Sequence, residues 1–157
     1  MLTLRAATPT DAATVLELIR ALAVYERQPD AVELDVATLR EQLAAQPPPF
    51  ECLLAELEGR TAGFALFFHT YSTWRGRRGI WLEDLFVVPE ARRRGVGEAL
   101  LRRVAALALE RGCARFEWSV LDWNAPAIGF YERLGVSVLP EWRICRVSDA
   151  ALAKLGG

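Results

Sequence analysis

The sequence predicts a single α/β domain in which a mixed β-sheet is covered by helices. Apolar residues alternate with polar ones in several short segments, as in strands, and elsewhere they recur every three or four residues, as in amphipathic helices. A chain of 157 residues, 52% of them hydrophobic, can also bury a sizeable core without disulfides or a metal. The predicted order is β-α-α-β-β-β-α-β-α-β, in one domain spanning residues 1–157.

The first half of the chain begins with a predicted strand over 2–7, where apolar and polar residues alternate. A helix follows, because Thr8-Pro9-Thr10-Asp11 combines a capping hydroxyl, an early proline and an acid. Glu58-Gly59-Arg60 is typical of a hairpin turn between two strands. The remaining elements predicted here are a helix near 35–45 and strands over 50–57, 61–71 and 80–88.

The second half is dominated by one helix whose apolar residues share a face and which ends at Arg111-Gly112, a basic last turn with a glycine stop. A helix is also predicted from Asn124 to Leu134, before Gly135. The strands predicted around it cover 116–121 and, last in the chain, 142–147. No repeat, linker or low-complexity tract interrupts this order.

Composition excludes several classes of site. The single histidine, His69, leaves too few ligands or bases for a zinc centre or a histidine-based triad. The three cysteines are far apart and form no CxxC, which favours a reducing compartment, and no signal or membrane-spanning segment is recognisable, so we expect a cytoplasmic protein. Residues 1–91 carry a net charge of −5 and residues 92–157 one of +4. The chain therefore lacks the face-wide excess of basic residues that neutralises the phosphates of a nucleic acid, and we do not expect it to bind one.

The most informative segment is Arg92-Arg93-Arg94-Gly95-Val96-Gly97, between a predicted strand and the long helix. Backbone N–H groups and the positive end of a helix converge at such a junction, and glycines let an oxyanion approach closely. The segment lacks the third glycine of a dinucleotide fingerprint and the Gly-Lys-Ser/Thr ending of a P-loop. It therefore indicates an anion site, with an ordinary solvated turn as the alternative.

This segment resembles the acetyl-CoA-binding signature of the GNAT N-acetyltransferases. The resemblance extends to the diamine acetyltransferase branch, which includes enzymes that acetylate spermidine, spermine and thialysine. Its further motifs here are Tyr71-Ser72-Thr73-Trp74, Leu82-Glu83-Asp84-Leu85-Phe86-Val87, Arg111-Gly112-Cys113, Leu121-Asp122-Trp123-Asn124 and Phe130-Tyr131. Together they cover nearly the whole chain in the family's order.

The resemblance implies which residues hold acetyl-CoA, the expected cosubstrate. In that family the backbone of Leu85, Phe86 and Val87 pairs with the pantetheine arm. The amides from Arg93 to Glu98 hold the pyrophosphate, and at least one guanidinium among Arg92, Arg93 and Arg94 is expected to meet a phosphate. The complete set of expected cofactor contacts is Leu85, Phe86, Val87, Arg92, Arg93, Arg94, Gly95, Val96, Gly97, Glu98, Asn124, Pro126 and Ala127.

Two residues match the family's catalytic positions. Tyr131 matches the acid that protonates the departing CoA thiolate, and its alternative role is that of a core tyrosine. Glu83 matches the glutamate that binds the amine and takes its proton through water. Strand alternation would place Trp81, Glu83, Leu85 and Val87 on one side of the sheet, with Asp84 opposite in a structural role. Pairing with Arg77 or Arg78 is the alternative for Glu83.

Tyr25, Glu26, Ser72, Trp74 and Glu141 are the other residues expected at the acceptor site, although Glu26 would equally suit an exposed helix end. Ser72 departs from the polyamine-acetylating members, which carry an aspartate there. Serine cannot anchor a distant ammonium as a carboxylate would. The departure favours thialysine or another short, lysine-like amine over spermidine and spermine.

We therefore expect an enzyme that transfers acetyl from acetyl-CoA to the primary amine of a small acceptor, by direct attack in a ternary complex. An acetyl-cysteine intermediate is not expected, since no cysteine has a basic partner at a motif position. The expected assembly is a homodimer, without metal, nucleic acid or membrane. The alternatives are an acetyltransferase for a protein or peptide amine, and a non-catalytic acyl-CoA-binding module.

Overall fold

A five-stranded sheet with the strand order β1-β2-β3-β4-β5 forms the first part of the chain. Strands β1 to β4 are antiparallel to their neighbours, and β5 is parallel to β4. The strands are β1 (Leu2–Ala6), β2 (Glu51–Leu57), β3 (Arg60–Ser72), β4 (Arg77–Val87) and β5 (Arg115–Glu117). The mixed sheet confirms the predicted fold class.

Five α-helices accompany the sheet in this computed structural model, which describes residues 1–157. They are α1 (Ala12–Tyr25), α2 (Val36–Ala44), α3 (Val96–Glu110), α4 (Ala125–Arg133) and α5 (Asp149–Gly156). Single turns of 3-10 helix at Pro9–Asp11 and Pro89–Ala91 precede α1 and the loop before α3. Both turns begin with proline, whose restricted φ suits the start of a helix.

Contacts within the chain divide it into two compact units, Met1–Ser119 and Val120–Gly157. The first unit contains the whole sheet and helices α1 to α3, and the second contains α4 and α5. No helix combines the length and apolar character that crossing a membrane requires. No group of three or more histidine, cysteine or acidic side chains is arranged to hold a metal ion.

The core of the first unit includes a cluster in which α1 and α2 pack on one face of the sheet. Helix α1 contributes an apolar stripe at spacings of three and four, as the sequence predicted. From the sheet, Leu54, Phe64, Leu66 and Phe86 join it. Helix α3 packs on β3 and β4 with its own buried stripe, which includes Leu100 and Val104. The two stripes fix both helices against the strands that carry the site.

The prediction of a last strand over residues 142–147 is wrong. This stretch has no regular secondary structure, and α5, which the sequence analysis did not predict, follows it. Alternating apolar and polar residues give a segment one face that can be buried, but a strand also needs a neighbouring strand with which its backbone forms hydrogen bonds. The sheet includes no partner for this segment. The preceding strand is shorter than predicted, since β5 ends at Glu117 rather than at residue 121.

Candidate active site

One edge of β4 is open along its second half. Strand β5 pairs with β4 only from Gly79 to Trp81, opposite Arg115–Glu117. Beyond Trp81, β4 has no strand partner on that side, so the edge from Leu82 to Val87 is open to pairing with an extended ligand. The three residues expected to pair with pantetheine, Leu85, Phe86 and Val87, lie on this stretch.

The glycine loop leads from this edge into α3. Gly95 caps the helix with φ of 78°, a left-handed conformation that glycine adopts without strain, and Arg93 has φ of 61°. The first turn of α3 contains the backbone N–H groups of Val96, Gly97 and Glu98, which lie too early in the helix to have partners within it. Such a turn, at the positive end of the helix, suits a phosphate. The loop therefore has the local geometry that its sequence predicted.

The three arginines of this loop have different surroundings. Arg94 donates a 2.6 Å hydrogen bond to Glu58, in the turn between β2 and β3. Arg92 donates from Nε to the carbonyl oxygen of Val87 at 3.1 Å. Arg93 is exposed and forms no ion pair within the chain. Of the three guanidiniums expected near phosphate, that of Arg93 is the one left without a protein partner.

The ladder between β3 and β4 contains a β-bulge at Glu83. Leu66 lies opposite Asp84, and the next residue, Phe67, lies opposite Leu82, so Glu83 is the extra residue on β4. An extra residue reverses the alternation of side chains beyond it. Glu83 accepts a hydrogen bond of 3.0 Å from the indole Nε1 of Trp81. It forms no ion pair with Arg77 or Arg78, so that alternative is not observed.

The bulge corrects the expected sidedness of β4. Trp81 and Asp84 lie opposite Phe68 and Leu66, which are two residues apart on β3 and therefore share a face. Leu66 belongs to the core under α1, so Asp84 lies on the face that α1 covers. The prediction that Trp81, Glu83, Leu85 and Val87 share one side, with Asp84 opposite, is wrong for this reason.

Three carboxylates influence one another at the end of α1, and we call them the acidic group (Glu26, Glu83 and Asp84). Burial, followed by the charges of Glu83 and Glu26, raises the pKa of Asp84 to about 7. Burial, followed by the charge of Glu83, raises the pKa of Glu26. None of the three forms an ion pair. A cationic ligand would relieve both the repulsion and the cost of burial.

The other expected acceptor residues of the first unit lie at two chain turns. Tyr25 is the last residue of α1, and Glu26 follows it directly. Ser72 ends β3, and its Oγ accepts a 3.2 Å hydrogen bond from the backbone N–H of Arg75. Trp74, in the same turn, is 83% exposed. The acidic group therefore brings Glu26 and Glu83 together, whereas Ser72 and Trp74 lie in the turn that joins β3 to β4.

The second unit carries the remaining predicted residues on and after α4. Asn124 caps this helix, since its Oδ1 accepts from the N–H of Ala127 at 3.3 Å, and Pro126 lies in the first turn. Tyr131 lies on the same helix, with its ring 5.5 Å from that of Phe130. Glu141 lies in the irregular stretch between α4 and α5 and is exposed. The cap and the helix agree with the sequence analysis.

The cysteines show no sign of nucleophilic activation. Cys52 is buried, and burial raises the pKa of its thiol to about 12, so the thiolate is scarce at neutral pH. Cys113 is half-buried and Cys145 is exposed. His69, the single histidine, is half-buried, and its Nε2 lies 3.3 Å from Nη1 of Arg111.

Two residues of the site were missed by the sequence analysis. Strand alternation predicts only a structural role for Asp84, whereas its position beside Glu83 in the sequence is the signal of a carboxylate pair. The local sequence of Glu58 predicts only a hairpin turn, and nothing in it indicates that Glu58 reaches Arg94, 36 residues later. Both contacts depend on strand pairing, which local periodicity does not reveal.

Known proteins resemble this chain in sequence and in fold. A sequence model of the acetyltransferase (GNAT) family matches residues 13–136. The thialysine N-epsilon-acetyltransferase of Sus scrofa is 38% identical over 165 residues, which cover 98% of this chain and 96% of that protein. The L-ornithine N5-acetyltransferase of Arabidopsis thaliana is 46% identical over 91 residues, 58% of this chain and 40% of that protein.

The fold has its own counterpart among solved structures. An integron cassette protein from the mobile metagenome of V. cholerae superposes with a TM-score of 0.81 at 22% identity, covering 98% of this chain and 96% of the other. That likeness concerns the fold, whereas the family match and the full-length relative concern the sequence. The chain belongs to the GNAT acetyltransferase family, whose members are acetyl-CoA-dependent N-acetyltransferases.

Proposed function

We propose that this protein transfers acetyl from acetyl-CoA to the primary amine of a small, lysine-like acceptor such as thialysine, by direct attack in a ternary complex. One observation carries the proposal: Glu83, in an acidic group that forms no ion pair, lies on the open edge of β4, two residues before Leu85. A cationic amine at Glu83 and an extended acyl donor at Leu85 to Val87 would therefore bind close together on one strand. The thialysine-acetylating relative supports the same acceptor class.

The residues that would hold acetyl-CoA fit its parts. The open backbone at Leu85, Phe86 and Val87 suits the amides of a pantetheine arm, and the N–H groups from Arg93 to Glu98 suit a pyrophosphate. Arg93 supplies a guanidinium for a phosphate. From the second unit, we assign Asn124, Pro126 and Ala127 as further contacts at the start of α4. When bound, this cosubstrate supplies the activated acetyl thioester.

The acceptor must lose a proton before it can attack. An amine with a pKa of about 10.4 is neutral to only about one part in a thousand at pH 7, which separates the two forms by about 4 to 5 kcal/mol. In our proposal Glu83 binds the ammonium and takes its proton, directly or through water. Tyr131 then donates a proton to the departing thiolate, which a phenol with a pKa near 10 can do.

Acceptor choice rests on the remaining residues. Glu26 and Asp84 add negative charge near Glu83, which favours a cationic substrate. Tyr25, Ser72, Trp74 and Glu141 complete the proposed acceptor site. Because Ser72 is uncharged, we propose that the site compensates one reacting amine and lacks the carboxylate that a distant second ammonium needs. Ornithine acetylation by a plant relative fits the same class of amino acid with a terminal amine.

We also propose that the protein works as a homodimer, with the chain acting as one catalytic domain. The C-terminal stretch leaves large apolar side chains exposed, namely Leu139, Trp142, Ile144, Val147, Leu152 and Leu155. Residues 142–147 have the alternation of a strand without a strand partner, and a second copy of the chain could supply one. Sedimentation should show a dimer, and Ile144→Asp should shift it toward monomer.

The three free cysteines suit a reducing compartment, such as the cytoplasm.

An amine panel tests the proposed function. CoA release is measured with thialysine, lysine, ornithine, spermidine and a lysine-containing peptide, and we expect the highest kcat/KM with thialysine. Glu83→Gln should lower that value by at least 100-fold, while the matched control Glu41→Gln, on the exposed side of α2, should not. Preference for the peptide would indicate a protein acetyltransferase. Acetyl-CoA binding without turnover of any amine would indicate a non-catalytic module.

A further inference from the structure

The side chain of Arg92 bridges three parts of the first unit. Its guanidinium carbon lies 5.2 Å from the centre of the Tyr25 ring and 5.7 Å from that of Phe86. Its Nε donates to the carbonyl oxygen of Val87 at 3.1 Å. Both rings are within the distance of about 6 Å at which a cation is attracted to an aromatic face.

These contacts involve both components of the proposed reaction, the acceptor and the donor. Tyr25 ends α1 and precedes Glu26 of the acidic group, on the acceptor side. Phe86 and Val87 lie on the open edge of β4, on the donor side. Arg92 itself begins the loop that leads to Gly95 and the first turn of α3. One side chain therefore joins the end of the acceptor helix to both donor-binding segments.

We infer that Arg92 is a positioning residue that holds the end of α1 against the open edge of β4, rather than a ligand of a CoA phosphate. This inference rests on the proposed function and adds a role to it. A side chain that donates from Nε while its charged carbon lies over two aromatic rings is an arrangement particular to arginine. The neighbouring Arg93 has no such contacts and remains available to an anion.

The two roles predict different kinetic effects. A phosphate ligand stabilises only a donor that carries phosphates, and its loss raises the KM for that donor. A residue that positions Tyr25 and Glu26 affects the acceptor, whichever donor is used. S-acetylpantetheine separates the two cases, because it carries the same thioester and amides as acetyl-CoA without any phosphate.

The experiment compares Arg92→Met with Arg93→Met, using acetyl-CoA and S-acetylpantetheine as donors and thialysine as acceptor. We expect Arg92→Met to raise the acceptor KM by about fivefold or more with both donors. Arg93→Met should raise the donor KM with acetyl-CoA and have little effect with S-acetylpantetheine. Arg92→Lys, which keeps the charge but loses the planar fork, should restore less than half of the acceptor affinity on a logarithmic scale.

A second measurement needs no turnover. In a double-mutant cycle, the effects of Arg92→Met and Tyr25→Leu on the equilibrium constant of unfolding should be non-additive by about two- to fivefold. The control is Arg20→Met, on the exposed side of α1, whose effect should be additive with that of Tyr25→Leu. Additivity of Arg92→Met and Tyr25→Leu would overturn the inference. So would an effect of Arg92→Met confined to the donor KM for acetyl-CoA.

Failure of the proposed function has a different signature. In that case the wild-type protein would transfer acetyl to no amine of the panel with either donor. Retained wild-type turnover together with an unchanged acceptor KM in Arg92→Met would instead overturn the inference about Arg92 alone.

Discussion

The indole Nε1 of Trp81 donates a 3.0 Å hydrogen bond to Oε2 of Glu83, the residue at the bulge of β4. Glu83 is exposed, so this bond supplies an orientation that packing does not. Such a bond helps a carboxylate that must contact an amine in one orientation, because a misplaced reacting group lowers the reaction rate. Trp81 is thus a structural support for the proposed base.

Removing this bond should weaken catalysis without unfolding the protein. Trp81→Phe keeps an aromatic ring and loses the N–H, and we expect kcat/KM for the amine to fall about 3- to 10-fold, or about 0.7 to 1.4 kcal/mol. Steady-state kinetics measure this, and calorimetry with CoA should show unchanged donor affinity. Unaltered kcat/KM in a folded variant would mean that the bond does not orient the base.

Asp84 should make stability depend on pH. Its pKa is raised from 3.8 to about 7, so only at pH values well below 3.8 is it protonated in both the folded and the unfolded chain. As the pH rises from 4 to 7 the unfolded chain loses this proton first, so the free energy of unfolding falls and the full cost remains above pH 7. Asp84→Asn should therefore be more stable than wild type by roughly 2 to 4 kcal/mol at pH 8, and by less than about 1 kcal/mol at pH 4.

Urea denaturation at the two pH values measures this difference. Asp30→Asn, at an exposed aspartate, is the matched control and should change stability little at either pH. A stabilisation by Asp84→Asn that is the same at pH 4 and pH 8 would contradict the assigned burial and repulsion.

Gly95 should be needed for donor binding because of its backbone conformation. A Cβ at this position would meet no atom within 4 Å, so a side chain has enough space. It would be strained because the backbone has a φ of +78°, which residues other than glycine rarely adopt. Gly95→Val should weaken CoA binding by tenfold or more, about 1.4 kcal/mol, measured by calorimetry. Gly112→Val is the matched control, because Gly112 has φ of +67° and equally open surroundings beyond the other end of α3. Equal loss of CoA affinity in both variants would refute a specific role for the loop.

Tyr131→Phe should separate chemistry from binding. The substitution removes one oxygen, so the fold and donor affinity should survive, while turnover falls by about 10² to 10⁴, as for other positioned proton donors. Single-turnover kinetics monitor the acetyl-transfer step itself. Turnover within a factor of three of wild type would assign Tyr131 a structural role on α4.

Ser72 should influence the choice between acceptors. We expect kcat/KM for thialysine to exceed that for spermidine at least tenfold, since losing a carboxylate partner for the second ammonium costs about 1.5 to 3 kcal/mol. Ser72→Asp should improve spermidine and narrow the gap. An aspartate can also accept the hydrogen bond that Ser72 receives from the backbone of Arg75, so the turn should persist. Thr73→Asp, in the same turn, controls for added charge, and equal improvement by both variants would argue against a direct contact from residue 72.

The amino-acid sequence by itself determined the elements that depend on neighbours along the chain. Helix α3 follows from its apolar spacing, and the glycine at position 95 permits the left-handed conformation that the loop before it adopts. The cap of α4 follows from Asn124 for the same reason. Local sterics and hydrogen bonds act over a few residues, so a sequence pattern is enough to predict them.

The tertiary structure decided what depends on partners distant in sequence. The bulge at Glu83 arises in the ladder with β3, and it places Asp84 on the face covered by α1, where burial raises its pKa. The contact of Arg92 with Tyr25 joins residues 67 positions apart in the chain, and that of Arg94 with Glu58 also spans a long separation. The predicted strand over 142–147 did not form because alternation does not provide a partner strand. Register, burial and long-range contacts are properties of the packed sheet and helices, and periodicity along the chain carries no record of them.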